Sequence, residues 1–109
     1  GGSSNRISNV NMAEFVRILN QKGVVYFDWN VSAGDTAVDY TVDDVISNVT
    51  EGIMQYKTSV VLLHDDDNKT VTAEALEPLI NKLKKMHADI LPIDENTYVV
   101  QYIKADSVE

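Results

Sequence analysis

Continuous apolar runs alternate with helical patterns along the chain. The runs at residues 24–27 (Val-Val-Tyr-Phe) and 59–63 (Ser-Val-Val-Leu-Leu) show no polar alternation. Strands buried on both faces of a parallel sheet have this composition, because helices cover both sides of such a sheet. A third run, at residues 90–93, contains Pro92. Proline has no N–H for a ladder hydrogen bond, so this run is predicted to be a strand end or an edge strand.

Three stretches place apolar residues at helical spacing, at residues 11–22, 41–56 and 72–86. Gly23 follows the first stretch as a residue free to take a positive φ, and Thr41 is predicted to cap the second. Pro78 is expected in the first turn of the main helical segment, where a missing N–H costs least. The third helix is expected to face inward with Ala75, Leu76, Leu79, Ile80 and Leu83. This order of elements predicts an α/β fold with a parallel sheet and crossover helices.

Length and composition narrow the classes of function. The chain has 109 residues, enough for one small domain, and a formal net charge of −8, which argues against a nucleic-acid or anionic-membrane partner. The absence of cysteine excludes a disulfide framework, a thiolate zinc site and a cysteine nucleophile. No apolar run approaches the ~18 residues that a membrane-spanning helix needs. Because the chain starts with Gly1-Gly2 rather than methionine, we expect it to be a piece of a longer protein.

The candidate functional residues lie in the loops that follow the first two apolar runs, at residues 28–35 and 64–70. In parallel α/β sheets, functional residues are usually found in loops at the carboxyl ends of the strands. A histidine there, His64, with a carboxylate on the neighbouring loop suits general acid catalysis, because the carboxylate fixes the tautomer and favours a protonated ring. Alternatively, His64 is only a polar strand terminus and Asp65–Asp67 a solvated turn. Trp29 is either a core residue or a platform for stacking on a sugar. His87 is interpreted as a helix C-terminal cap residue.

Several segments, in their order along the chain, resemble a known family. They are Gly1–Asn5, Tyr26–Val31 continuing to Gly34-Asp35, Val60–Asp65, Thr72–Leu76 and Leu91–Ile93. Together they resemble the C-terminal half of the NodB-homology polysaccharide deacetylases, carbohydrate esterase family four, and in particular the bacterial peptidoglycan, chitin and xylan deacetylases. The resemblance extends over essentially the whole of residues 1–109.

The resemblance implies a fold, an activity and roles for four residues. The fold would be the C-terminal portion of a distorted (β/α) barrel. The parent enzyme would remove acetyl groups from N-acetylglucosamine-type cell-wall polysaccharides, outside the cell or on the surface of a bacterium. His64 would be the general acid that protonates the leaving amine, and Asp35 the aspartate that orients it. Leu62 would help to line the acetyl pocket, and Trp29 would belong to the substrate-binding loop.

The departures from the family pattern concern the metal. The family holds a divalent metal, usually zinc, with an Asp-His-His set and uses a further aspartate as general base. Those positions lie upstream of Gly1 in the family pattern, so the resemblance implies that residues 1–109 do not include the N-terminal metal-binding part. We therefore predict no metal ligands in this chain, no bound zinc and no activity of the chain alone. Thr36 stands where many members have tryptophan, and His87 where they usually have glycine.

Two further expectations concern association and alternative functions. Half of a barrel would leave a strand edge unpaired and an inner face without partners, so we predict self-association. One alternative is a non-catalytic carbohydrate-binding or interaction module with a deacetylase-like fold. Another is a small stand-alone α/β binding protein.

Overall fold

The computed structural model describes residues 11–101 and 104–105. They belong to two compact units: residues 30–97 form one, and the described residues up to Trp29 together with those from Tyr98 onward form the other. The elements in chain order are α1 (Met12–Gln21), β1 (Val31–Ser32), α2 (Val42–Ile53), β2 (Val61–Leu62) and α3 (Thr70–Lys85). Within the described ranges, no helix has the length and apolar character needed to cross a membrane.

Helix α1 begins and ends where the sequence predicts. The Asn11 side chain accepts a hydrogen bond from the Ala13 N–H at the start, 2.9 Å away. At the other end Gly23 takes a φ of +68°, which supplies the left-handed residue that terminates many helices. Both boundaries follow from local chemistry alone.

The apolar run at residues 24–27 does not form the predicted buried strand. Val24 is 47% and Val25 64% exposed. The segment is instead tied to the tail of the chain: the Asp28 N–H donates to the Val100 carbonyl, and the Gln101 side chain donates to the Tyr26 carbonyl. An apolar run records a tendency to be buried, but a buried strand also needs a ladder partner, and among the described residues this run takes part in no strand pairing.

The predicted parallel pairing is confirmed, but its first strand lies later than expected. Val31 pairs with Val61 and Ser32 with Leu62 in parallel register, and the Ala33 N–H donates to the Leu62 carbonyl at 3.0 Å. Strand β2 lies inside the predicted run at 59–63. Strand β1, however, lies in the stretch predicted to be a loop. Residues 90–93 form no strand, and Ile90, Leu91 and Ile93 are all more than half exposed.

Helix α2 packs closely on β1. The Thr41 hydroxyl accepts from the Asp44 N–H while the Asp44 carboxylate accepts from the Thr41 N–H, so the predicted cap is a complete capping box. Further along the helix, a Cβ added to Gly52 would lie 2.5 Å from Val31 Cγ1. Glycine at that position therefore allows the helix backbone to approach the strand.

Helix α3 packs against α2 and completes the core of its unit. The fully buried residues of this core are Ala33, Val45, Val49, Ala75 and Leu79. The inward face of α3 is narrower than predicted, because Leu76 is 43% and Ile80 38% exposed.

The start of α3 and the position of its proline also differ from the prediction. The helix begins two residues earlier than expected, and Pro78 lies inside it as the ninth residue rather than in its first turn. Pro78 is exposed, and its buried neighbours Ala75 and Leu79 hold this part of the helix on the core. This packing offsets the loss of one backbone hydrogen bond.

Helix α3 ends at a histidine in the left-handed region. His87 has a φ of +60°, and the Ala88 N–H donates back to the Leu83 carbonyl at 3.0 Å. This confirms the interpretation of His87 as a C-terminal cap residue.

Candidate active site

The structure brings Asp35 and His64 into direct contact. Asp35 follows β1 by three residues and His64 follows β2 by two, so both lie at the carboxyl ends of parallel strands. His64 Nδ1 lies 2.8 Å from Asp35 Oδ1, and the His64 backbone N–H donates to Asp35 Oδ2, also at 2.8 Å. The two residues that the sequence indicated on separate loops thus share a two-point contact.

The turn that carries Asp35 has a special backbone conformation. Gly34 has a φ of +73°, and its N–H donates to the Ser32 hydroxyl. Asn48 of α2 donates from Nδ2 to the Ala33 carbonyl at 2.9 Å. A Cβ on Gly34 would lie only 2.6 Å from that Nδ2 atom. A left-handed glycine and an asparagine of α2 therefore set the direction in which the chain enters Asp35.

Asp35 is ionised inside the protein. It is 1% exposed. Burial by itself raises the pKa of Asp35, but the hydrogen bonds from the His64 backbone, the His64 ring and the Thr72 hydroxyl, together with the charge of the His64 ring, outweigh burial. The pKa of this carboxyl group consequently lies below its ordinary value of 3.8.

The carboxylate determines which ring nitrogen of His64 carries a hydrogen. An ionised carboxylate only accepts hydrogen bonds, so Nδ1 must be the donor in the 2.8 Å contact. The His64 side chain is 40% exposed. Within the described part of the chain, Nε2 makes no hydrogen bond, so this nitrogen is left for water or a bound molecule. The arrangement suits transfer of a proton at Nε2.

Two polar residues that the sequence analysis did not select complete the site. The Thr72 hydroxyl donates to Asp35 Oδ2 at 2.9 Å, and the Tyr40 hydroxyl lies 2.9 Å from Thr72 Oγ1. One signal was present in the sequence: Thr72 precedes Ala75 and Leu79 by three and seven residues, so it shares their inward face. A hydroxyl on a buried face requires a polar partner, and here the partner is Asp35.

The structure does not test the roles of the two remaining predicted site residues, Leu62 and Trp29. Leu62 is half-buried in β2, two residues before His64, and Trp29 is half-buried in the other unit. Their roles toward a substrate remain predictions. Asp65–Asp67 are exposed, as expected of a solvated turn. In the residues that the structure describes, no group of three or more histidine, cysteine, aspartate or glutamate side chains is placed to hold a metal ion.

A second buried carboxylate, Asp28, belongs to the other unit and is 1% exposed. Burial, and then the Asp28 charge, raise the pKa of Tyr26 in the same unit. Asp28 lies in the predicted loop 28–35, and nothing in the sequence pattern assigned it a role.

The comparisons with known proteins give one informative similarity. No protein-family model matches the chain, and no curated protein matches it. The chain is similar to the crystal structure of the catalytic domain of a peptidoglycan N-acetylglucosamine deacetylase from Eubacterium rectale ATCC 33656, with 29% sequence identity and a TM-score of 0.77. The match covers 84% of this chain but 41% of that chain, so the protein spans less than half of its structural neighbour. The similarity and the described elements together establish a small, deacetylase-like α/β fold.

Proposed function

We propose that this chain is the C-terminal part of a NodB-homology polysaccharide deacetylase domain, a distorted (β/α) barrel whose parent acts on N-acetylglucosamine-type cell-wall polymers. The observation that carries the proposal is the contact between His64 Nδ1 and the buried Asp35 carboxylate, 2.8 Å long, at the carboxyl edge of two parallel strands. The similarity of the fold to a peptidoglycan deacetylase catalytic domain supports the choice of reaction.

In this proposal His64 is the general acid. When the amide bond of an N-acetyl group breaks, the amine nitrogen leaves with the bonding electron pair and needs a proton. The protonated His64 ring supplies it from Nε2, while Asp35 holds the ring through Nδ1 and stabilises its positive charge. Leu62 is proposed to line the pocket for the acetyl methyl group, and Trp29 to contact the sugar.

The residues described here do not fit a zinc site. The parent enzyme is proposed to use zinc with ligands from the N-terminal part of the family pattern. For this chain we derive no step through a metal and propose that it is inactive alone. Incubating the chain with an acetylated chitooligosaccharide and zinc should release no acetate, and a calorimetric titration should show no tight zinc site. Acetate release, or one tightly bound zinc per chain, would contradict this.

The general acid is tested in a chimera. This chain replaces the matching 41% of the Eubacterium rectale domain, and acetate release from an acetylated chitooligosaccharide is measured. We expect His64→Gln to lower kcat by about 10²- to 10⁴-fold, the range for loss of a positioned acid. The matched control is His87→Gln, which changes the chain's other histidine at the end of α3 and should retain activity. An active chimera that is indifferent to His64→Gln would contradict the proposed role.

A second candidate function is a non-catalytic carbohydrate-binding or interaction module with a deacetylase-like fold, because the similarity of the fold is shared by both candidates. A binding module should bind the oligosaccharide without needing a proton donor. The free chain is titrated with chitooligosaccharide and followed by NMR. The module is favoured over the enzyme if wild type and His64→Gln bind equally tightly and if the activity of the chimera is unchanged by the same substitution.

Location and association are also part of the proposal. A cell-wall substrate places the protein outside the membrane or on the bacterial surface. Several large apolar side chains of unit 30–97 are more than 65% exposed, namely Val38, Met54, Leu91 and Ile93. Exposed apolar surface of this kind favours self-association. Light scattering at micromolar concentration should give a mass above 12.1 kDa, whereas a monomer with cooperative unfolding would contradict it.

A further inference from the structure

We propose that Thr72 and Tyr40 are positioning residues that fix the Asp35 carboxylate against His64. This inference rests on the proposed function, because it assigns to both residues a part in placing the proton donor. It starts from the second oxygen of Asp35. Oδ1 faces the His64 ring, while Oδ2 accepts from the His64 backbone N–H and from the Thr72 hydroxyl.

The direction of each hydrogen bond follows from counting hydrogens. The Thr72 hydroxyl has one hydrogen, and it is used on the Asp35 carboxylate, which cannot donate. The Tyr40 hydroxyl, 2.9 Å from Thr72 Oγ1, must then donate to Thr72. The result is a chain in which Tyr40 donates to Thr72 and Thr72 donates to Asp35, whose other oxygen accepts from the His64 ring. Hydrogen bonds aligned in this way polarise and strengthen one another.

The four residues of this hydrogen-bond series come from separate parts of unit 30–97. Asp35 follows β1, His64 follows β2, Thr72 lies in the first turn of α3, and Tyr40 precedes α2. A carboxylate held from three directions keeps its plane, and this plane sets the orientation of the imidazole ring. His64 alone contacts both oxygens from one side, and the Thr72 hydroxyl adds a hydrogen bond to Oδ2 from α3.

Thr72 differs from the other buried threonine in how it uses its hydroxyl. Thr50 donates to the Ile46 carbonyl of its own helix, 2.7 Å away, which is the usual solution for a threonine inside a helix. Thr72 is 3% exposed and directs its hydroxyl away from its helix to Asp35. This contrast makes Thr50 a matched control: both side chains are buried, and only one contacts the pair.

Among the described residues, His64 is the charged group that acts on the pKa of Asp35. His64 is its titratable partner, and Tyr40 lies one hydroxyl beyond. Lys69 Nζ lies 5.6 Å from the centroid of the Tyr40 ring, a cation–π contact that helps to hold the ring over the start of α3. Thr72 is among the groups that lower the pKa of Asp35, so its removal has a defined sign.

The experiment uses NMR on the whole chain without substrate. The Asp35 carboxyl carbon is followed against pH, and solvent exchange of the His64 Nδ1 hydrogen is measured. In Thr72→Val the Asp35 titration should move to higher pH, and the Nδ1 hydrogen should exchange roughly tenfold faster, the factor expected for one charge-assisted hydrogen bond. Tyr40→Phe should shift the Asp35 titration and the Nδ1 hydrogen exchange in the same direction as Thr72→Val, but by a smaller amount. Thr72→Ser should restore values near wild type, and Thr50→Val should leave both readouts unchanged.

Failure of this inference is distinguishable from failure of the proposed function. If Thr72→Val leaves both NMR readouts unchanged, or if Thr50→Val moves them equally, Thr72 does not position Asp35. In the deacetylase chimera, Thr72→Val should lower kcat and leave KM unchanged, with Thr72→Ser restoring kcat. If the NMR readouts shift as expected but His64→Gln leaves kcat of the chimera unchanged, Thr72 does position Asp35 and the proposed reaction is wrong.

Discussion

Gly34 controls the approach of the chain to Asp35, and its replacement by alanine tests that local geometry. The residue has a φ of +73°, and an added Cβ would lie 2.6 Å from Asn48 Nδ2. Alanine must therefore adopt a left-handed backbone and displace the Asn48 side chain from its bond to the Ala33 carbonyl. The left-handed conformation costs about 1–2 kcal/mol, and the lost hydrogen bond costs about 1 kcal/mol.

Alanine also restricts the unfolded chain, which offsets ~0.4–1 kcal/mol of this cost. The net expectation for Gly34→Ala is a loss of ~1–2.5 kcal/mol in the free energy of unfolding. Two comparisons isolate the contribution of Asn48. In an Asn48→Ala background the clash is absent, so Gly34→Ala should cost about 1 kcal/mol less than in wild type. Gly23 has a φ of +68°, and no atom lies within 4 Å of an added Cβ. Gly23→Ala therefore measures the cost of the left-handed backbone without a clash.

The assay is urea denaturation followed by circular dichroism at neutral pH for the four members of the cycle. A coupling of about 1 kcal/mol between residues 34 and 48 is expected, well above the few tenths by which independent sites depart from additivity. Strict additivity would refute the reasoning, because it would mean that Asn48 does not contact the turn.

Three further predictions concern charge and helix ends. The pKa of Asp35 in the folded protein lies below the ordinary value of 3.8 that applies to the unfolded chain, so between these two pKa values the unfolded chain binds more protons. The stability contributed by ionised Asp35 is therefore fully present above pH 3.8 and is lost as the pH falls through the folded-state pKa. The difference in unfolding free energy between wild type and Asp35→Asn should therefore narrow on acidification below 3.8, and a constant difference would contradict this. Thr41→Ala should lose ~1 kcal/mol by removing the capping box with Asp44, whereas Thr41→Ser should lose little; equal losses in thermal melts would refute the cap. His87→Gly should gain ~0.5–1 kcal/mol, since glycine takes a φ of +60° without strain, and a lower melting temperature would contradict it.

The sequence by itself determined the ends of several helices. The cap at Thr41, the left-handed Gly23 and the end of α3 at His87 depend on contacts within a few residues, and each lies where the pattern placed it. The parallel pairing of the two strands was also correct, because helices alternate with apolar runs. Position at the ends of strands selected His64 and a neighbouring loop with two carboxylates, Asp28 and Asp35, and the family resemblance then pointed to Asp35.

Tertiary structure decided which segments pair and what surrounds Asp35. The run at 24–27 satisfies every local criterion for a strand, yet β1 forms at Val31–Ser32, because register depends on partners distant in the chain. The hydroxyl of Thr72 meets Asp35 across 37 positions, and no spacing rule reaches so far. Local patterns report what a residue prefers, whereas packing of distant segments determines which of those preferences is satisfied.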